Sequence, residues 1–144
     1  MFEESPSYLL RKFVFELERA ADDLLQAHVG ISYNRALFLF VLQQKGTITQ
    51  HELAVALGYS DPAVSSMLLE LVEDGYITTA PSPEHRRKRL VTITPEGSRI
   101  VTEGWKMLQA HFNQLMEIAE IDPQHFSELT MRLYNALLIK KEQT

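Results

Sequence analysis

Two short helical signals stand back to back between Thr47 and Gly75, with room between them for nothing but a tight turn. In "TITQHELAVALG" an extended piece leads into a capping pattern, Thr49 at the N-cap and Glu52 three residues later, and Gly58 closes the helix. In "YSDPAVSSMLLELVEDG" Ser60 or Asp61 caps, and Gly75 ends the helix. Pro62 suits the first turn, where its missing N–H has no partner to lose. Two short helices joined by a tight turn narrow the chain to a small set of architectures.

The flanking segments narrow it further. From Pro6 to His28 apolar residues recur on more than one stripe (Leu9, Phe13, Leu17 and Leu24 beside Leu10, Val14, Ala21 and Leu25), so this helix must be covered on two sides. Gly30 stops it, Ser32 caps the next, and "YNRALFLFVLQQKG" reads as a buried helix running to Gly46. After Gly75 the β-branched pieces "YITTA" and "RLVTIT" surround the Pro-punctuated segment "PSPEHRRK", which predicts a hairpin with a long basic tip. Thr94 and Pro95 open a helix of about 25 residues, and Asp122 with Pro123 opens a last one carrying Phe126, Leu129, Leu133 and Leu137. The predicted fold is mainly α: a winged helix-turn-helix with a small β-hairpin wing at residues 32–95, flanked by helical dimerisation segments at 1–31 and 96–144. The flanking helices carry more apolar surface than the wing region can cover, and a second copy of the chain would cover it.

The stretches "ITQHELAVALGYSDPAVSSMLLELVEDGYI" and "SPEHRRKRLVTITPEG" resemble the MarR family of bacterial transcriptional regulators. The resemblance implies a homodimer whose first and last two helices interlock between subunits. It also implies small aromatic or phenolic effectors held between those helices and the winged helix. Three positions depart from the family pattern. Ser82 and His85 stand where the wing usually carries acidic residues, one of which stiffens the loop through an arginine; Ser66 stands where many members have an arginine; and Thr78 and Thr79 stand where a basic residue is common.

Charge decides which chemistry is open. The formal net charge is -5, and no lysine or arginine occurs between Lys45 and Arg86, an interval holding Glu52, Asp61, Glu70, Glu73, Asp74 and Glu84. Positive charge gathers instead at Arg86, Arg87, Lys88 and Arg89, where a wing would place it. A DNA-binding chain of this kind would attach through these four and His85, while Gln50, Ser60, Ser65 and Ser66 supply neutral hydrogen bonds. Ala63 or Met67 would touch thymine methyl groups. Arg87 matches the family's wing-tip arginine, which implies insertion into the minor groove. The effector-pocket candidates implied by the resemblance are Phe13, His28, Tyr33, Arg35 and Trp105; read without it, the aromatics are core and His28 and His111 lie at or near a core.

With no cysteine, thiol redox chemistry and disulfides are excluded, and a reducing cytoplasm is the natural compartment. The acidic start "MFEESPSYLL" and the lack of a long apolar run support neither an export signal nor a membrane span. No Gly-rich phosphate loop, no HExxH pair and no nucleophile with a base partner is found, and His51 and His125 look exposed, so neither catalysis nor a metal or other cofactor is expected. The function read from the sequence is a dimeric transcriptional regulator that binds a pseudo-palindromic stretch of double-stranded DNA, a repressor released by a small ligand. The alternative is a winged-helix interaction or antirepressor module that has lost DNA and docks its basic tip on an acidic protein.

Overall fold

The computed structural model describes residues Met1–Thr144. A short 3-10 turn, Phe2–Glu4, precedes helix α1 (Pro6–Val29), capped by Ser5 and ended by Gly30 in the left-handed region at φ 71. Helix α2 (Tyr33–Lys45) starts at Ser32, whose hydroxyl accepts the Arg35 amide. Strand β1 (Ile48–Thr49) leads into α3 (Gln50–Leu57), and α4 (Asp61–Glu73) follows after Gly58, again left-handed at φ 72. Of the two residues able to cap α4, Ser60 does so, accepting the Ala63 amide, and Asp61 becomes the first helical residue.

Strands β2 (Ile77–Pro81) and β3 (Arg89–Ile93) pair antiparallel, Ile77 opposite Ile93 and Pro81 opposite Arg89. The expected two-stranded hairpin is one side of a three-stranded sheet of order β1-β3-β2, because Ile48 and Thr49 pair with Val91 and Leu90 on the other edge of β3. Pro81 belongs to the strand rather than the loop. It can do so because β2 lies at the sheet edge, where a missing N–H breaks no second ladder.

Helices α2, α3 and α4 pack against the sheet around Phe38, Leu39, Leu42, Leu53, Val64, Leu71, Ile77 and Val91, while α1 contributes Leu25. All are essentially inaccessible to water, and each such side chain contributes about 1.5–3 kcal/mol through burial. Helix α5 (Pro95–Ile118) is joined to this core through Thr94. The Thr94 hydroxyl donates to the Gly75 carbonyl at 2.7 Å and accepts the Gly97 amide at 3.1 Å, while the Thr94 amide donates to the Tyr76 carbonyl. In the first turns of α5 Arg99 bridges Glu96 and Glu103, and its hydrogen bonds hold the Glu96 carboxyl below the usual carboxylate range.

The backbone forms two compact units, Met1–Lys106 and Met107–Thr144. The second holds the end of α5 and helix α6 (Pro123–Glu142), which Asp122 caps by accepting the His125 amide at 2.8 Å. Within it Phe112 meets Phe126 with ring centroids 5.9 Å apart. No residue of α6 is buried within the chain, and Leu133, Tyr134, Leu137 and Leu138 all stand exposed.

Two aromatics expected in the core are not there. Phe13 is 44% and Trp105 52% exposed, because the chain covers at most part of the helix faces on which they lie. His28 and His111 are exposed as well, and the His28 Nδ1 sits 3.1 Å from the carbonyl of Leu24 in its own helix. No helix is long and apolar enough to cross a membrane.

Candidate nucleic-acid interface

The first turns of α3 and α4 and the returning side of the wing enclose a cleft of about 280 Å³. Thr49, Gln50 and His51 line it from α3 and its cap, Asp61 from α4, and Arg87, Lys88 and Arg89 from the wing. The local sequence brings these walls together. The left-handed Gly58 turn sets α4 across α3, and the β1–β3 pairing draws the base of the wing beside the Thr49 cap. The two helices are tied at this end by the Gln50 side-chain amide, which donates to Ser65 Oγ.

Arg86, Arg87 and Lys88 are exposed in the loop between β2 and β3. Arg89 is not part of the free tip. It is the first residue of β3, and its guanidinium donates to Thr79 Oγ1 at 2.8 Å across the hairpin. The carboxylate that stiffens such a loop in the family pattern is absent, and main-chain bonds hold the loop: Ser82 N–H to the Lys88 carbonyl at 2.7 Å and Lys88 N–H to the His85 carbonyl at 2.9 Å. Ser82 is itself buried, which a carboxylate at that position would resist. Ser60, Ala63, Ser65, Ser66 and His85 are exposed, Met67 and Gln50 are half-buried, and Val64, Leu68 and Leu71 hold the opposite face of α4 in the core.

The acidic interval is less bare than its sequence. Arg35, from the first turn of α2, reaches the carboxylates of both Glu70 and Asp74. His51 Nδ1 stands 3.5 Å from Asp61 Oδ1. Half of the six carboxylates in the cation-free stretch therefore face a basic side chain contributed from elsewhere or from the facing helix. Neither arrangement is legible in the sequence. Arg35 lies 35 residues from Glu70, and the roles of Thr49, His51 and Asp61 as cleft walls depend on the crossing of two helices. A histidine two residues past an N-cap, facing the first turn of the next helix, is the local signal that could have singled out His51.

The five effector-pocket candidates have separate neighbours within one chain. Tyr33 lines a cleft of about 510 Å³ between α1 and the start of α2, with Phe15, Glu18 and Asp22. Its amide donates to Asp22 Oδ1 at 2.8 Å, and burial, assisted by the charge of Glu18, keeps its phenol protonated beyond the ordinary range. Trp105 sets its edge on Phe40, with ring centroids 5.6 Å apart. Arg35 holds α4, His28 turns back on its own helix, and Phe13 is exposed.

Helix, two short crossed helices and a basic β-wing define a winged helix-turn-helix protein. Residues 29–88 match the model of the MarR family. A relative in Bacillus subtilis (strain 168), an uncharacterized HTH-type transcriptional regulator named YdgG, is 33% identical over 102 residues, a match covering 69% of this chain and 65% of the relative. Among solved structures, wild-type MarR from E. coli in its apo form superposes with a TM-score of 0.78 at 20% identity, covering 92% of this chain and 96% of that one. The MepR–DNA complex of S. aureus superposes with a TM-score of 0.75 at 21% identity, covering 94% and 96%. At that identity both likenesses speak for the fold.

Proposed function

We propose that the protein is a dimeric, sequence-specific DNA-binding transcriptional regulator of the cytoplasm, a repressor that a small aromatic ligand releases from a pseudo-palindromic operator. The observation that carries this reading is the concentration of cations around the cleft. In a chain of formal net charge -5, Arg87, Lys88 and Arg89 line one wall beside the first turns of both short helices. Phosphate attachment then comes from the wings, and α4 enters the major groove with Ser65 and Ser66 at its exposed face. Arg35 supports the reading by countering Glu70 and Asp74, which would otherwise repel the duplex. The exposed apolar faces of α1 and α6 support self-association, since side chains such as Leu10 and Leu133 need a cover the chain does not supply.

No step of this reading requires catalysis or a cofactor. The alternative, a module that has lost DNA and binds an acidic protein, draws support from Glu52 and Glu73, which no basic side chain faces. Selection of duplex fragments from the genome with the purified protein, followed by footprinting, separates the two. Recovery of a pseudo-palindromic site protected at two half-sites supports the repressor. Recovery of no preferred duplex, with an acidic protein captured through the wing instead, supports the alternative.

A further inference from the structure

The wall of the cleft opposite the wing holds a charge that should not be there. Asp61 occupies the first turn of α4 and shares the cleft with Arg87, Lys88 and Arg89, so a phosphate drawn in by the cations must approach a carboxylate. A carboxylate beside a bound phosphate is repelled by it, and the cheapest remedy is a proton on a group between them. His51 is that group. Its Nδ1 lies 3.5 Å from Asp61 Oδ1, and its ring lines the same cleft.

We propose that the cleft is a proton-coupled phosphate subsite: His51 takes up a proton as a backbone phosphate of the duplex enters, neutralises Asp61, and adds one positive charge per protomer to the wing's attachment. The inference rests on the DNA-binding reading above. The charged groups facing His51 set the sign. Asp61 Oδ1 stands 3.5 Å from its Nδ1, and Arg87, Lys88 and Arg89 line the cleft with it. An incoming phosphate screens the three cations and adds a negative charge beside Asp61, so that carboxylate and phosphate together favour imidazolium. Proton uptake is therefore linked to binding, so affinity rises as the pH falls through the histidine range and the gain is lost as it rises again. Histidine is the one side chain whose ordinary titration makes this exchange near neutrality.

The test is the binding of a fluorescent duplex of about 30 base pairs, long enough for two half-sites, at fixed ionic strength and at about pH 6 and about pH 8. For the wild type the expected gain on acidification is about fivefold or more, since each linked proton can supply up to about tenfold per pH unit. His51→Gln should remove most of that gain, and Asp61→Asn should bind more tightly near pH 8 with a flattened pH response. Both side chains are largely exposed, so neither substitution endangers the fold, which circular dichroism checks. His125 is exposed at the start of α6 and is not among the residues that line the cleft, and His125→Gln is the control: it should keep the pH response. Wild-type binding of equal strength at both pH values, or a response that survives His51→Gln, overturns the proton-coupled subsite and leaves the DNA reading intact. A wild type that binds no duplex at either pH overturns both.

Discussion

Ser65 and Ser66 are both exposed on α4, and they differ in what they already do. Ser65 accepts from the Gln50 amide and so ties α4 to α3; no side-chain partner holds Ser66. Ser65→Ala should therefore cost about 1 kcal/mol both in thermal stability and in binding, whereas Ser66→Ala should cost a similar amount in binding at particular base pairs and leave the melting temperature unchanged. Denaturation and footprint titration of the pair check this, and equal melting losses in the two variants would contradict it. Arg35 acts at a distance from the duplex. Its pairs with Glu70 and Asp74 are partly exposed, so Arg35→Ala should lower stability by about 1 kcal/mol or less. The same change uncovers two carboxylates on α4, so DNA affinity at about 0.15 M salt should fall even though Arg35 itself belongs to α2. Unchanged affinity would show that those carboxylates lie outside the field of the DNA.

Among the elements, α5 closely approaches the end of β3 and the Tyr76 carbonyl ahead of β2. A Cβ placed on Gly97 would run into the Tyr76 carbonyl and the Ile93 side chain, so Gly97→Ala should destabilise by about 1–3 kcal/mol through overpacking, read by urea denaturation. At Gly104 the Leu25 side chain can give way, and Gly104→Ala should cost less; the reverse order would contradict the packing. The element order was legible because its signals are local: Ser5, Ser32, Thr49, Ser60 and Asp122 all cap the helices they precede, and Gly30 and Gly58 end theirs in left-handed conformation. What the sequence misplaced depends on partners far along the chain. Pairing of Ile48 with Val91 turns a hairpin into a three-stranded sheet, and Arg89 is withdrawn from the tip by Thr79 across the hairpin. The exposure of Phe13 and Trp105 has another origin: helical periodicity reports an apolar face but not whether the same chain covers it. Of the candidate interface, the basic run was visible as a run, while the cleft that organises it required the crossing of α3 over α4.

At the scale of the whole molecule, each of the two compact units leaves apolar side chains exposed. The second leaves Leu133 and Leu137 about as exposed as surface polar residues would be. Replacing both by Asp should give chains that fail to associate and that unfold or aggregate, because charges in a desolvated helix interface cost several kcal/mol. Sedimentation of the wild type as a stable folded monomer would contradict that. The lack of cysteine makes a second expectation absolute in kind: peroxide should leave DNA binding intact until methionines oxidise, and loss reversed by thiols would be inexplicable. The central claim is that the wing attaches an otherwise acidic protein to DNA, and the salt dependence of duplex binding by wild type and Arg87→Ala measures it most directly. Four cations per chain, Arg86, Arg87, Lys88 and Arg89, make eight in a dimer and limit the slope of log affinity against log salt to about seven. Arg87→Ala removes two of the eight and should flatten the slope by about two while weakening binding to every sequence. The account expects saturable binding at about 0.15 M salt with that slope and that change; no saturable binding by the wild type, or a slope that Arg87→Ala leaves untouched, would contradict it.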